Sequence, residues 1–238
     1  MIMTYKKSWS EESRAGAVQG VPIAFGYMPV ALTFGLIAAT TGLTFIEAVM
    51  MSIVVFAGAA QYMALTMIAL QSSAAEIVFS TFVVNLRHVL MSASIKERAD
   101  HSSKTMRALY GFFLTDEVFA VASVKEAPIK APYILGVGVV AYSSWVVFTG
   151  VGFYAGAILP DVMQESMGIA LYALFIALLI PSVKSQGASV MVLAVLGGGF
   201  HLILQQWLST GWAIMGATIL AVCVYEGIDQ MRRVSNDK

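Results

Sequence analysis

The sequence predicts an all-α polytopic membrane protein of about seven to eight transmembrane helices, some broken or re-entrant, and two observations carry that prediction. Of 238 residues, 58% are hydrophobic and 12% charged, against about a quarter charged in a soluble domain. Apolar runs of about 20 residues, the length that crosses a ~30 Å hydrocarbon core, recur along the whole chain with no soluble-length stretch between them. The expected organisation is an N-terminal cytoplasmic segment (1–16), one transmembrane helical domain (17–228) and a cytoplasmic tail (229–238). A formal net charge of zero leaves no footprint for nucleic acid. Cys223, the single cysteine, lies in an apolar run and reads as a packing residue.

With charges taken as boundaries, the apolar stretches are 17–40, 45–70, 74–95, 108–125, 133–159, 167–182, 188–206 and 210–228. The first is too long and interrupted for a signal-peptide core. It holds Pro22 and Pro29 with glycines at 20, 26 and 35, which predicts a kink or break near Tyr27, since proline removes a backbone donor. The second contains the small-residue run "FAGAAQ", where close helix packing and access of a solute to backbone are both open readings. The seventh carries "GGGF", read as packing, and His201, read as packing or interfacial. "GYMPVALTFGLIAATTGL" in the first stretch loosely echoes "AYSSWVVFTGVGFYAGAIL" in the fifth, the kind of internal similarity that transporters show.

Lys/Arg bias in short loops sets orientation. Lys6, Lys7 and Arg14 place the N-terminus in the cytoplasm, Arg232, Arg233 and Lys238 do the same for the C-terminus, and Lys125, Lys130 and Lys184 read likewise. Asp161 and Glu165 read as external. The loop 96–107, with Lys96, Arg98, Lys104 and Arg107, breaks the alternation, because three crossings would put it outside. Either the rule fails there, or one of the first three segments, together with the short acidic segment 108–125, enters and leaves by the same side. Non-helical backbone at membrane depth is tolerated where it lines a cavity, so the conflict points to re-entrant or discontinuous helices.

All charged side chains except Arg87, Asp116 and Glu117 fall at segment ends or in loops. A charge at the bilayer centre costs several kcal/mol even on the lowest scales, roughly 2.5–3.5, so these three need partners. Counting from flanking charges, the midpoints fall beside Asn85, Arg87 and His88 in the third stretch, at Asp116 in the fourth, next to Gln61 in the second, and at Ser144 and Trp145 in the fifth. Four segments thus carry their most polar residues at one depth. Residues three apart share a helix face, which puts Asn85 and His88 together and turns Arg87 toward an acid on a neighbouring helix, Asp116 or Glu117. The plain alternatives are an Arg87 ion pair that only fixes helix register, and an interhelical hydrogen bond rather than a proton relay at His88.

The chain shows no G-x-S-x-G, H-E-x-x-H or Walker pattern, and its His and Cys are too scattered for a metal cluster. No cofactor is expected. A secondary exporter, an intramembrane hydrolase and a structural subunit of a membrane complex remain the alternatives, and midplane acids with an arginine favour transport.

The ordered motifs "GAVQGVPIAFGYMPVALTFG", "SIVVFAGAAQYMAL", "NLRHVLMSASI" and "FLTDEVFAV" resemble the AzlC family, the BrnF or YgaZ type of large subunit of bacterial branched-chain amino acid exporters. "YSSWVVFTGVGFYAG" and "YALFIALLIPSV" fit more loosely. The resemblance implies a bacterial inner-membrane exporter of valine, leucine, isoleucine and methionine, driven by the proton gradient, with a small AzlD-type partner subunit. A zwitterionic amino acid needs donors for its carboxylate, an acceptor for its ammonium and an apolar pocket. Asn85, Gln61 and an exposed helix N-terminus are the expected carboxylate ligands. Asp116 or Glu117 would take the ammonium or exchange a proton, with Arg87 and His88 as the ion-pair or proton-coupling residues beside them, while Val55, Phe56, Trp145 and small residues enclose the side chain. Tyr27 marks a break exposing backbone to the solute.

Overall fold

The computed structural model describes residues 8–100, 102–156, 176, 180, 183, 184 and 187–236. Lys6, Lys7, Asp161, Glu165 and most of the stretch 167–182 lie outside the described residues. Those described form α1 (Trp9–Thr40), α2 (Phe45–Val55), α3 (Gly58–Ala69), α4 (Ala74–Arg98), α5 (Lys104–Phe112), α6 (Asp116–Ser123), α7 (Ala131–Gly156), α8 (Ala188–Leu204) and α9 (Thr210–Asn236). Among them α1, α4, α7 and α9 are long and apolar enough to cross a membrane. The protein is an all-α polytopic membrane protein, and two of its apolar stretches are pairs of half-helices.

Local sequence starts these helices cleanly. Ser8 with Glu11, Thr44 with Glu47 and Ser73 with Glu76 each form a reciprocal capping box, hydroxyl to N3 amide and carboxylate to N-cap amide. Thr115 caps α6 through the Val118 amide. The expected break near Tyr27 is not where the chain breaks, because α1 stays helical through both prolines. Hydroxyls of Ser144, Thr33 and Tyr62 donate to the carbonyls of Ala24, Pro29 and Val30, and two of these three bonds tie this stretch of α1 to α7 and α3. The break falls in the second stretch, where Phe56 adopts φ 40°, ψ 48°, left-handed geometry uncommon for a bulky side chain. A second break, at residues 113–115, separates α5 from α6.

Contact clustering divides the chain into two compact units. The first holds α1, α2, the first turn of α3, the second half of α4, α5, α6 and α7. Its spine is α1 packed along α7, side by side and parallel. A Cβ at Gly16 would strike the Tyr133 backbone, at Gly35 the Thr149 carbonyl, and at Gly152 the Leu32 carbonyl. The echoing segments of the sequence are therefore neighbours running the same way. In the second unit Gly211, at the start of α9, fits against Met67, Glu76 and Ser80, Ser80 donates to the Gly211 carbonyl at 3.2 Å, and α8 packs on α9. Cys223 is exposed on α9 rather than packed.

Within the first unit both half-helix pairs turn back. Phe45 stacks on Phe153 and Tyr154 near the end of α7, and α2 descends to Phe56, whose ring meets Tyr27 and Tyr142. From there α3 rises again, Gln61 reaching Trp145 and Tyr62 reaching Val30 and Phe34. The second pair starts from the opposite end. The Arg98 guanidinium binds the carbonyls of Ser123 and Lys125, Ala99 bridges Ile129, and Lys125 pairs with Glu12 at 2.8 Å. The ends of α4 and α6 and the starts of α1 and α7 thus share one end of the unit. The basic loop 96–107 starts from that same end, so α5 and α6 leave it and return to it within the first unit.

Candidate functional site

The tips of the two hairpins meet beside the middle of α1 and α7. Phe56 from the first tip and Phe112 from the second have ring centroids 6.5 Å apart, and both rings contact Tyr142. Tyr27 crosses between them. Its ring stands edge-on to Phe56 and to Trp145, 5.3 Å from the latter, and its hydroxyl hydrogen-bonds both Thr115 and Glu117 on α6. A phenol has one proton. A Glu117 carboxylate can only accept, so that proton goes to Glu117 and the Thr115 hydroxyl donates to Tyr27, leaving a Thr115 lone pair for the Val118 amide.

Gln61 and Trp145, expected at the same depth, are locked together by a closed ring of hydrogen bonds. The indole Nε1 donates to Gln61 Oε1 at 3.0 Å, Gln61 Nε2 to Ser52 at 3.1 Å, Ser52 to Thr149 at 2.8 Å, and Thr149 back to the Trp145 carbonyl at 2.8 Å. Oε1 also accepts the Ala57 amide at the break. Gln61, Ser52 and Thr149 are fully buried, and satisfied polar rings of this kind fix a single arrangement. Gln61 thus spends its oxygen and one N–H on protein partners, so it positions Trp145 and the hairpin tip rather than presenting a free amide. Ser52 and Thr149 were not legible as site residues, whereas Thr115, before two acids, carries the N-cap pattern.

The α4 side chains grip the other tip. Arg87 pairs with Asp116 at 2.7 Å, and His88 Nδ1 lies 2.9 Å from the Leu114 carbonyl in the break. A carbonyl only accepts, so Nδ1 carries the proton. His88 Nε2, Asn85 Oδ1 and Arg87 Nε are buried without a hydrogen-bond partner among the described residues. Such orphans cost about 1–3 kcal/mol each and gather where a ligand or water completes a site. The two acids divide as their 100° separation dictates, Asp116 to Arg87 and Glu117 to Tyr27. The structure brings all eight sequence-expected residues, Tyr27, Gln61, Asn85, Arg87, His88, Asp116, Glu117 and Trp145, into the first unit, all but Asn85 with a contact at the hairpin tips.

The family model described as AzlC protein matches residues 22–159, a stretch that includes all eight of these residues. An uncharacterized membrane protein of Archaeoglobus fulgidus is 36% identical over 196 residues, covering 80% of this chain and 85% of the relative. The inner membrane protein YgaZ of Escherichia coli is 32% identical over 76% of this chain and 78% of its own length. The branched-chain amino acid transport protein AzlC of Bacillus subtilis is 23% identical over 77% and 76%. No solved structure matches the chain. On the family match and these identities the chain belongs to the AzlC family.

Proposed function

We propose that this protein is the large subunit of a secondary exporter of branched-chain amino acids and methionine, coupled to inward proton movement and acting with a small AzlD-type membrane subunit. The observation that carries the proposal is Glu117, a carboxylate at the point where two opposed hairpins meet, whose hydrogen-bond partner is one phenolic hydroxyl. A substrate ammonium and a proton would each displace Tyr27 from that carboxylate, and they cannot occupy it together. Mutually exclusive occupancy is what an exchange of amino acid for proton requires. Arg87 already pairs with Asp116, so the second acid is the one without a cationic partner among the described residues.

The carboxylate of the amino acid would face the first turn of α3, where a half-helix N-terminus carries partial positive charge, with Asn85 as a further ligand. Val55, Phe56 and Trp145 would wall the aliphatic group, Trp145 held by its ring with Gln61. The printed name of the Bacillus relative supports the substrate class and that of the Escherichia relative an inner-membrane location. The Lys/Arg bias supports a cytoplasmic N-terminus.

Counterflow of radiolabelled valine, leucine and methionine in proteoliposomes, with and without the small subunit and an imposed pH gradient, tests the proposal. Wild-type protein should exchange all three and respond to the gradient, and Glu117→Gln should insert normally yet lose that response. Valine exchange in Glu117→Gln with undiminished rate and pH response would defeat it.

A further inference from the structure

Away from the hairpin tips, a cavity of about 370 Å³ opens between the last turns of α4 and the start of α5. Four of its lining residues, Ser92, Lys96, Arg107 and Tyr110, bring hydrogen-bond donors, and no acid lines it. Arg107 spends Nε on the Ser102 carbonyl, and its terminal guanidinium nitrogens have no partner among the described residues. Lys96, Ser92 and the Tyr110 hydroxyl have no protein partner among the described residues. Tyr110, 2% exposed, is the buried member of this lining. Asp100, the nearby acid, is engaged by Ser102 and Lys130.

We propose that this cavity binds the phosphate of an anionic phospholipid. Two unpaired cations and two hydroxyls around one small space ask for a multivalent oxyanion, and the guanidinium fork suits phosphate. The apolar surroundings favour a lipid over a free anion. Ala93, Ala108 and Gly111 form the remaining wall. Along α4, Leu86, Val89, Ala93 and Lys96 follow at steps of three and four, hence on one face, with Leu86 and Val89 exposed. Leu109 and Phe112 are exposed on α5. Charge at the helix end followed by an apolar stripe toward the middle matches a phospholipid headgroup and its acyl chain. The loop belongs to the side that its basic residues assign to the cytoplasm, and basic pockets between transmembrane helices on that side hold anionic headgroups.

The test uses the purified full chain in neutral-lipid nanodiscs, titrated with phosphatidylglycerol and read by native mass spectrometry and thermal unfolding. Wild-type protein should retain phosphatidylglycerol selectively over phosphatidylcholine. Lys96→Gln combined with Arg107→Gln should weaken that binding roughly thirtyfold, at about fivefold per basic side chain. Ala93→Trp, which fills the cavity without changing charge, should do the same. Equal retention of phosphatidylcholine, or undiminished binding in both variants, would overturn the proposal. Stabilisation of equal size by inorganic phosphate would overturn the lipid assignment in favour of a soluble anion, and protection of Lys96 by the small subunit alone, with no lipid retained, would make the surface a protein interface. Tyr110→Phe, which removes one hydroxyl, gives a graded loss should the larger substitutions fail to fold.

Discussion

Removing Arg87 separates two roles for its pair with Asp116. The two side chains are 37% and 32% exposed. Their energy therefore falls between that of a surface pair, ~0–1 kcal/mol, and that of a buried pair, where losing one partner costs ~3–5 kcal/mol. A coupling of about 2 kcal/mol follows, close to thirtyfold in an equilibrium. Asp116 also sits in the first turn of α6, where the helix favours a negative charge by a further ~0.3–1 kcal/mol. Arg87→Gln should then cost less than Asp116→Asn, which strands a guanidinium and loses the helix term as well. The double variant should be about 2 kcal/mol more stable than the sum of the single losses. Unfolding of the three variants in one detergent, compared with the parent, measures this. Additivity within ~0.5 kcal/mol would refute the pairing. Counterflow on the same proteins divides the roles, because a register-fixing pair lets the double variant regain transport with stability, while a pair that sets the charge around Glu117 does not.

Three further outcomes follow from the geometry. Gly152→Ala drives a Cβ into the Leu32 carbonyl and should destabilise by up to about 3 kcal/mol as overpacking, whereas Gly26→Ala, which meets open space, should be close to neutral in the same melt. Trp145→Phe removes the indole donor but leaves the Ala57 amide on Gln61; a stability loss of ~1 kcal/mol and weaker valine exchange are expected, and unchanged exchange would detach Trp145 from the substrate path. In a Cys223→Ser background, cysteines at Ser103, Glu126 and Ser10 should be labelled from one side and a cysteine at Thr41 from the other. Labelling of Ser103→Cys together with Thr41→Cys would refute the paired re-entrant hairpins.

Much of this was legible in the sequence because membrane solvent leaves few choices. Arg87, Asp116 and Glu117 stand out against an apolar background, and their partners had to be near. The misplaced charges of 96–107 left a failed charge rule or re-entrant segments open, and the turn-back of α5 and α6 to one end of the first unit fits the second reading. The break was harder to locate. Proline is the stronger local breaker, yet α1 passes through Pro22 and Pro29 while packed along α7, and Phe56, with no local signal of its own, takes the left-handed turn beside its ring contacts. Ser52 and Thr149 are ordinary residues until folding closes their ring with Gln61 and Trp145, which no linear pattern announces.

The glycine-lined spine has a mechanical consequence. With carbonyls of each long helix set against glycines of the other, α1 and α7 have no compliant layer of side chains to shear through, so they act as a fixed post. The proposed exporter would then have to open by moving its short helices rather than this post, since α5 and α6 meet α7 far less extensively than α1 does.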